Sequence, residues 1–288
     1  MKKIIIIIAL IAAFFAADLT LTYNNFIKDS DYFTKNDFEI TQYKHPEKVW
    51  DKVFYGNSCV MSGYIEDLSS SGYVNLGVSY GTAKDLVAMI DKRHVKIGSE
   101  LVIGLNELFL YDDLHTNPTY MWHKKWYTPY PYFERDRFYP IITDGFDKLL
   151  HGEDPMPAKR FSPQEKYTTH GVMSDEEAAE KLEKYEREYF NLPDEAFSDN
   201  LAALEKIIRY CEKNDIRVRM VWMPWNPKFT KPDILARVHV LVQNVCDKYG
   251  VEQINMEDIL PEECFYDMGH MNREVGAPAF TALVDEWL

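Results

Sequence analysis

The chain has 288 residues, of which 46% are hydrophobic, and its 32 basic against 46 acidic side chains give a formal charge of -14. That is enough apolar material for one substantial core. The acidic balance, with no dense Lys/Arg face, argues against a surface for nucleic-acid phosphates.

At the N-terminus, Lys2 and Lys3 precede an apolar run from Ile4 to Ala17, which Leu19, Leu21 and Tyr23 extend past the lone Asp18. The stretch 1–23 reads as a signal-anchor with its lysines inside and everything after it outside. Cleavage after Ala16 or Ala17 would put Phe where small residues are preferred; a cleaved signal peptide is the alternative, and it exports the domain equally. Residues 24–49 read as a linker, and 50–288 as the folded domain.

From there strands alternate with helices. "KVFY" is a short strand that enters a helix over Cys59 to Ser70, with Val60, Tyr64 and Leu68 on one stripe. "GYVNLG" is a second strand. "GTAKDLVAMIDKRH" is a second helix, with Thr82 and Asp85 as its capping pair. "SELVIGLNELF" holds a third strand.

Residues 112–199 break the rhythm and read as an insertion. It begins with the aromatic segment "TYMWHKKWYTPYPYFERDRFYP", whose Trp122 and Trp126 suggest either a polymer-binding platform or the packing of an irregular subdomain. A charged helix follows, opening at Ser174 with Glu177 three residues on; it reads as a solvated face. Alternation then resumes with a helix over Asn200 to Lys213, the strand "RVRMVWMP", a helix over Asp233 to Lys248, the strand "VEQIN" and the final helix "APAFTALVDEWL". The pattern predicts an α/β fold: a mostly parallel five-stranded sheet with helices on both sides.

Cys59, Cys211, Cys246 and Cys264 lack metal-binding spacing. Cys211 and Cys246 would pair in an oxidising compartment or remain two buried thiols. The histidines outside "DMGH" show no paired ligand spacing, so neither a metal nor a cofactor is expected.

In such a sheet, functional groups gather at the carboxyl ends of the strands. Those ends here carry Gly56-Asn57-Ser58, Asn75-Leu76-Gly77, Gly104-Leu105-Asn106-Glu107 and, after the last strand, Asp267-Met268-Gly269-His270. Each is ordinary alone; Ser58, for one, is a plausible helix N-cap. Together they are the parts of an acyl-transfer site. A serine hydroxyl needs an imidazole to take its proton, and the imidazole needs a carboxylate to fix its tautomer. Ser58, His270 and Asp267 supply these, and the N–H groups of Ser58 and Gly77 with the Asn106 side-chain amide supply oxyanion donors.

"GNS", the glycine of "NLG", "GLNE" and "DMGH" resemble the four blocks of the SGNH, or GDSL-like, hydrolase family. With the N-terminal run, "FYGNSCV", "VNLGVSYGT", "RVRMVWMP" and "GHMNREVGAPAFT", the chain resembles the membrane-anchored SGNH proteins that serve membrane-bound O-acyltransferases, a group that includes the D-alanyl-lipoteichoic acid transfer protein and alginate acetylation accessory proteins. The resemblance covers about 50–111 and 200–288. It departs from the family pattern at Asn57 and Glu107, where Asp is usual.

The resemblance implies a three-layer, flavodoxin-like fold, Ser58 as nucleophile with Asp267 and His270, and Gly77 and Asn106 as oxyanion donors. It further implies a single-pass protein of the cell membrane, its catalytic domain extracytoplasmic. Its partners would be a membrane-bound O-acyltransferase and a cell-surface polysaccharide or teichoic acid, and its chemistry the transfer or hydrolysis of acetyl or D-alanyl esters. A non-catalytic polymer-binding subunit and a free-standing secreted esterase or lipase are the other readings.

Overall fold

Five apolar runs become the strands β1 (Trp50–Gly56), β2 (Val74–Gly77), β3 (Ile97–Leu105), β4 (Arg217–Trp222) and β5 (Glu252–Asn255). They pair in the order β2-β1-β3-β4-β5, every pair parallel, as the alternation with helices predicts. The computed structural model describes residues 2–23, 36–117, 120–123, 135–155, 166 and 168–288, without the side chains of 18, 19, 21–23 and 135–141.

The strands bury both faces, as a parallel sheet must. On one face Phe54, Val102 and Val221 meet Tyr64, Phe280 and Val284; helices α3 (Ser58–Gly63) and α9 (Gly276–Trp287) cover this side. On the other face, Tyr55 donates its hydroxyl to the Thr82 carbonyl, Cys246 lies 3.6 Å from Met220, and Trp222 stacks on His239 with ring centroids 3.5 Å apart. Helices α4 (Ala83–Asp91), α7 (Ser198–Lys213) and α8 (Asp233–Tyr249) lie there. Phe54 and Phe280 are wholly buried, and each such ring contributes roughly 2–3 kcal/mol through apolar burial.

The chain divides into two compact units, one of Met1–Asn36 with Pro118–Gln164 and one of Asp37–Asn117 with Glu165–Leu288. The first contains α1 (Lys2–Tyr23) and α5 (Arg135–Leu150). No helix among the described residues is long and apolar enough to cross a membrane. The side chains on which the anchor expectation leans at its far end, Asp18, Leu19 and Leu21 to Tyr23, lie outside the described set.

Several boundaries differ from the sequence reading. The expected linker 24–49 contains α2 (Asp37–Lys44), whose Phe38 is fully buried and which packs beside β2; the stretch 24–35 lies outside the described residues. The helix expected from Cys59 to Ser70 ends at Gly63, and a separate 3-10 turn covers Glu66–Leu68. Asn75 explains the stop: its Nδ2 donates to the carbonyls of Val60, Met61 and Tyr64, capturing the helix end. The second half of the expected insertion belongs with the sheet, as α6 (Asp175–Tyr185).

Candidate active site

At the end of β1 the chain turns directly into α3. Asn57, in extended conformation, is the N-cap and accepts the Cys59 N–H at 3.0 Å. Ser58 therefore occupies the first helical position rather than the cap, and its hydroxyl is not consumed by the helix. β1 lies between β2 and β3, where the strand order reverses, so Ser58 stands at the switch point, where an open α/β sheet has a crevice.

The loop after β5 brings the other two groups. Asp267 Oδ1 accepts the backbone N–H groups of Gly269 (3.0 Å) and His270 (2.8 Å), folding the four residues into a turn. That turn sets His270 Nδ1 2.8 Å from Asp267 Oδ2, and His270 Nε2 2.8 Å from Ser58 Oγ. With Nδ1–H donated to the carboxylate, Nε2 accepts the serine proton. Asn226 holds the turn from behind, its N–H on the Met268 carbonyl and its Nδ2 on the Asp267 carbonyl. Asp267 is only 3% exposed. Burial pushes its carboxyl up, but His270 and Lys181 outweigh burial and hold it well below the usual carboxylate range.

The expected oxyanion donors separate. Asn106 lines the cleft; its Oδ1 accepts from Asn57 Nδ2 (2.7 Å) and the Phe109 N–H (3.0 Å), and its Nδ2 lies 3.3 Å from Cys59 Sγ and 3.4 Å from Asn57 Oδ1, so the amide donor is held beside the residue that follows Ser58. Gly77 is a correction. Its N–H donates to Asn75 Oδ1 at 2.8 Å, and a Cβ at that position would lie 2.3 Å from the Met61 backbone nitrogen. Gly77 thus lets α3 approach β2 and offers no hydrogen to the cleft. Tyr80, three residues on, does line the cleft; it has φ 55, and its N–H meets no acceptor among the described residues.

The cleft encloses about 620 Å³. Met223, Pro224, Trp225 and Leu235 form an apolar side, and Glu177, Glu180, Lys181, Lys184 and Tyr185 of α6 contribute a polar one. This corrects the reading of α6 as only a solvated face. The Ser174–Glu177 capping box forms as expected, but Lys181 donates to Asp267 Oδ2. Positions 177, 181 and 184 recur at helical spacing, and that stripe is the sequence signal that could have revealed the wall.

Two buried groups border the serine. Burial pushes the Glu107 carboxyl up to about 7, with Glu257 and Asp267 adding repulsion. Burial likewise raises the Cys59 thiol far above its ordinary range, so the residue next to Ser58 is no competing thiolate. All four cysteines are buried and free.

Trp122 is 2% exposed and stacks on Tyr120 with centroids 4.5 Å apart. Its ring is covered by protein, which corrects its expected place in a ligand platform; Trp126 lies outside the described residues. Among the described residues no group of His, Cys, Asp and Glu is arranged to hold a metal ion.

No family model and no curated protein matches the chain. Among solved structures, it is similar to an acetyl xylan esterase at 12% identity, covering 82% of this chain and 98% of that one, with a TM-score of 0.38. A mutant acetyl-xylooligosaccharide esterase from Geobacillus is similar at 10% identity, over 81% and 91% of the two chains, with a TM-score of 0.38. A carbohydrate acetylesterase from Sinorhizobium meliloti is similar at 12% identity, over 82% and 98%, with a TM-score of 0.32. Likenesses this distant leave the chemistry to be argued from the site itself.

Proposed function

We propose that the chain is a serine esterase or O-acyltransferase that moves acetyl or D-alanyl groups on a cell-surface polysaccharide or teichoic acid through an acyl-enzyme on Ser58. The observation that carries this reading is the continuous line of hydrogen bonds from Ser58 Oγ through His270 to Asp267, each 2.8 Å long.

In acylation, Ser58 Oγ forms a bond to the acyl carbon as its proton passes to His270 Nε2. The developing imidazolium rests against Asp267. The oxyanion is met by the N–H of Ser58 at its helix start, the N–H of Tyr80 and the Asn106 amide. The tetrahedral intermediate collapses by breaking the bond to the leaving oxygen, which takes the proton from His270. In deacylation a polymer hydroxyl or water gives its proton to His270 and attacks the acyl carbon; Ser58 leaves and regains the proton. The apolar Met223–Trp225 side suits the small acyl group.

The N-terminal run of isoleucines supports placing this site outside the cell on a membrane anchor, with a membrane-bound O-acyltransferase as donor partner. The test is polymer acylation in cells that carry only Ser58→Ala at native abundance. Loss of the ester supports the reading, and unchanged acylation overturns it.

A further inference from the structure

The triad carboxylate has a second cation. Asp267 Oδ2 accepts from His270 Nδ1 at 2.8 Å and also from the Lys181 ammonium, while Oδ1 holds the two backbone N–H groups of its turn. A serine site needs only the imidazole on that carboxylate, so the lysine calls for an explanation. Lys181 does not belong to the sheet or its loops; it projects from α6. That helix is fastened by the ion pair of Asp175 with Lys228 (2.5 Å) and by the Met173 N–H on the Tyr266 carbonyl (2.8 Å). The Lys181 side chain is 25% exposed, and its ammonium lies 5.7 Å from the centroid of the Tyr185 ring.

We propose that Lys181 is a positioning residue of the Ser58 site, which fixes the Asp267 carboxylate from α6 and sets a standing positive charge against the one that forms on His270 when it takes the serine proton. The inference rests on the serine acyl-enzyme reading. Its physics is charge competition: an imidazolium and an ammonium that share one carboxylate oxygen repel each other. The same repulsion speeds return of the proton to the leaving oxygen. The other ionisable groups around the pair are Cys59 from α3, Tyr185 with Glu177, Glu180 and Lys184 from α6, and Glu107 after β3 with Glu257 behind it. Burial holds Cys59 and Tyr185 neutral and favours the neutral form of Glu107 up to about pH 7. Glu257 is already paired with His239 and Lys231. Lys181 is the ammonium in direct contact with the Asp267 carboxylate.

The test is the rate at which the full chain captures a fluorophosphonate on Ser58, followed across pH in the native protein, Lys181→Met and Lys181→Arg. The acid limb of the profile is expected to move to higher pH in Lys181→Met, by roughly half a unit to one unit, and to return in Lys181→Arg. A lysine that only braces the fold would slow capture at every pH without moving the limb. Lys181→Gln, polar and of similar reach, answers the same question should the methionine variant fail to fold. A limb that stays in place or moves to lower pH overturns the Lys181 inference alone. A native chain that captures no probe overturns the serine reading and this inference with it.

Discussion

His270 Nε2 stands 2.8 Å from Ser58 Oγ although 212 positions separate the two residues. The contact joins the first βα junction of the sheet to the turn after its last strand. The consequences of that contact can be tested part by part.

Asp267→Asn should leave the turn intact, because the amide oxygen still accepts the Gly269 and His270 N–H groups. It removes the charge that fixes the imidazole tautomer. Capture of fluorophosphonate by Ser58 is expected to slow by about 10³-fold or more, with circular dichroism unchanged.

Asn57 has two separable roles. Its Oδ1 caps α3 and its Nδ2 holds Asn106. Asn57→Asp keeps the cap but loses the donor, so the melting temperature should hold while Ser58 reactivity falls by about 10-fold or more. Asn57→Ala loses both, and a further loss of about 1 kcal/mol in stability is expected from urea unfolding.

Gly77→Ala separates packing from catalysis. A methyl group there meets the Met61 backbone at 2.3 Å, so destabilisation of roughly 3 kcal/mol is expected. The protein that remains folded should capture the probe at the native rate per active site. A fully stable but slow Gly77→Ala would return this glycine to the oxyanion hole.

Glu107 gives stability a slope in pH. Its carboxyl rises from 4.5 in the unfolded chain to about 7 when buried. The native state therefore keeps a proton that the unfolded state releases, and the stability it contributes at low pH is lost as pH climbs from about 4.5 to 7. The total change is of order 3 kcal/mol. Glu107→Gln should flatten that slope and melt higher than the native protein above pH 7, as thermal melts across the range would show.

Much of this was legible in the sequence. Period-2 and apolar runs located all five strands, and Thr82–Asp85 and Ser174–Glu177 marked helix starts that form as capping boxes. The hydrogen-bonded line of Ser58, His270 and Asp267 was readable because each lies next to a strand end or in the final loop. Gly77 misled for a physical reason: a glycine at a strand end serves close helix approach as readily as a ligand, and only the Asn75 side chain reveals which. The proposed Tyr80 donor was invisible because backbone N–H groups carry no residue signature, and its φ of 55 is unusual for a side-chain-bearing residue. Lys181 was missed because a charged helix looks solvated until its docking partner is known.

The most direct measurement is the intact mass of the full chain after exposure to a fluorophosphonate, beside Ser58→Ala and His270→Ala. One covalent adduct on the native protein, absent from both variants, is the expected result. A folded native protein that gains no adduct, or an adduct that survives Ser58→Ala, would contradict the claim that Ser58 is an activated nucleophile.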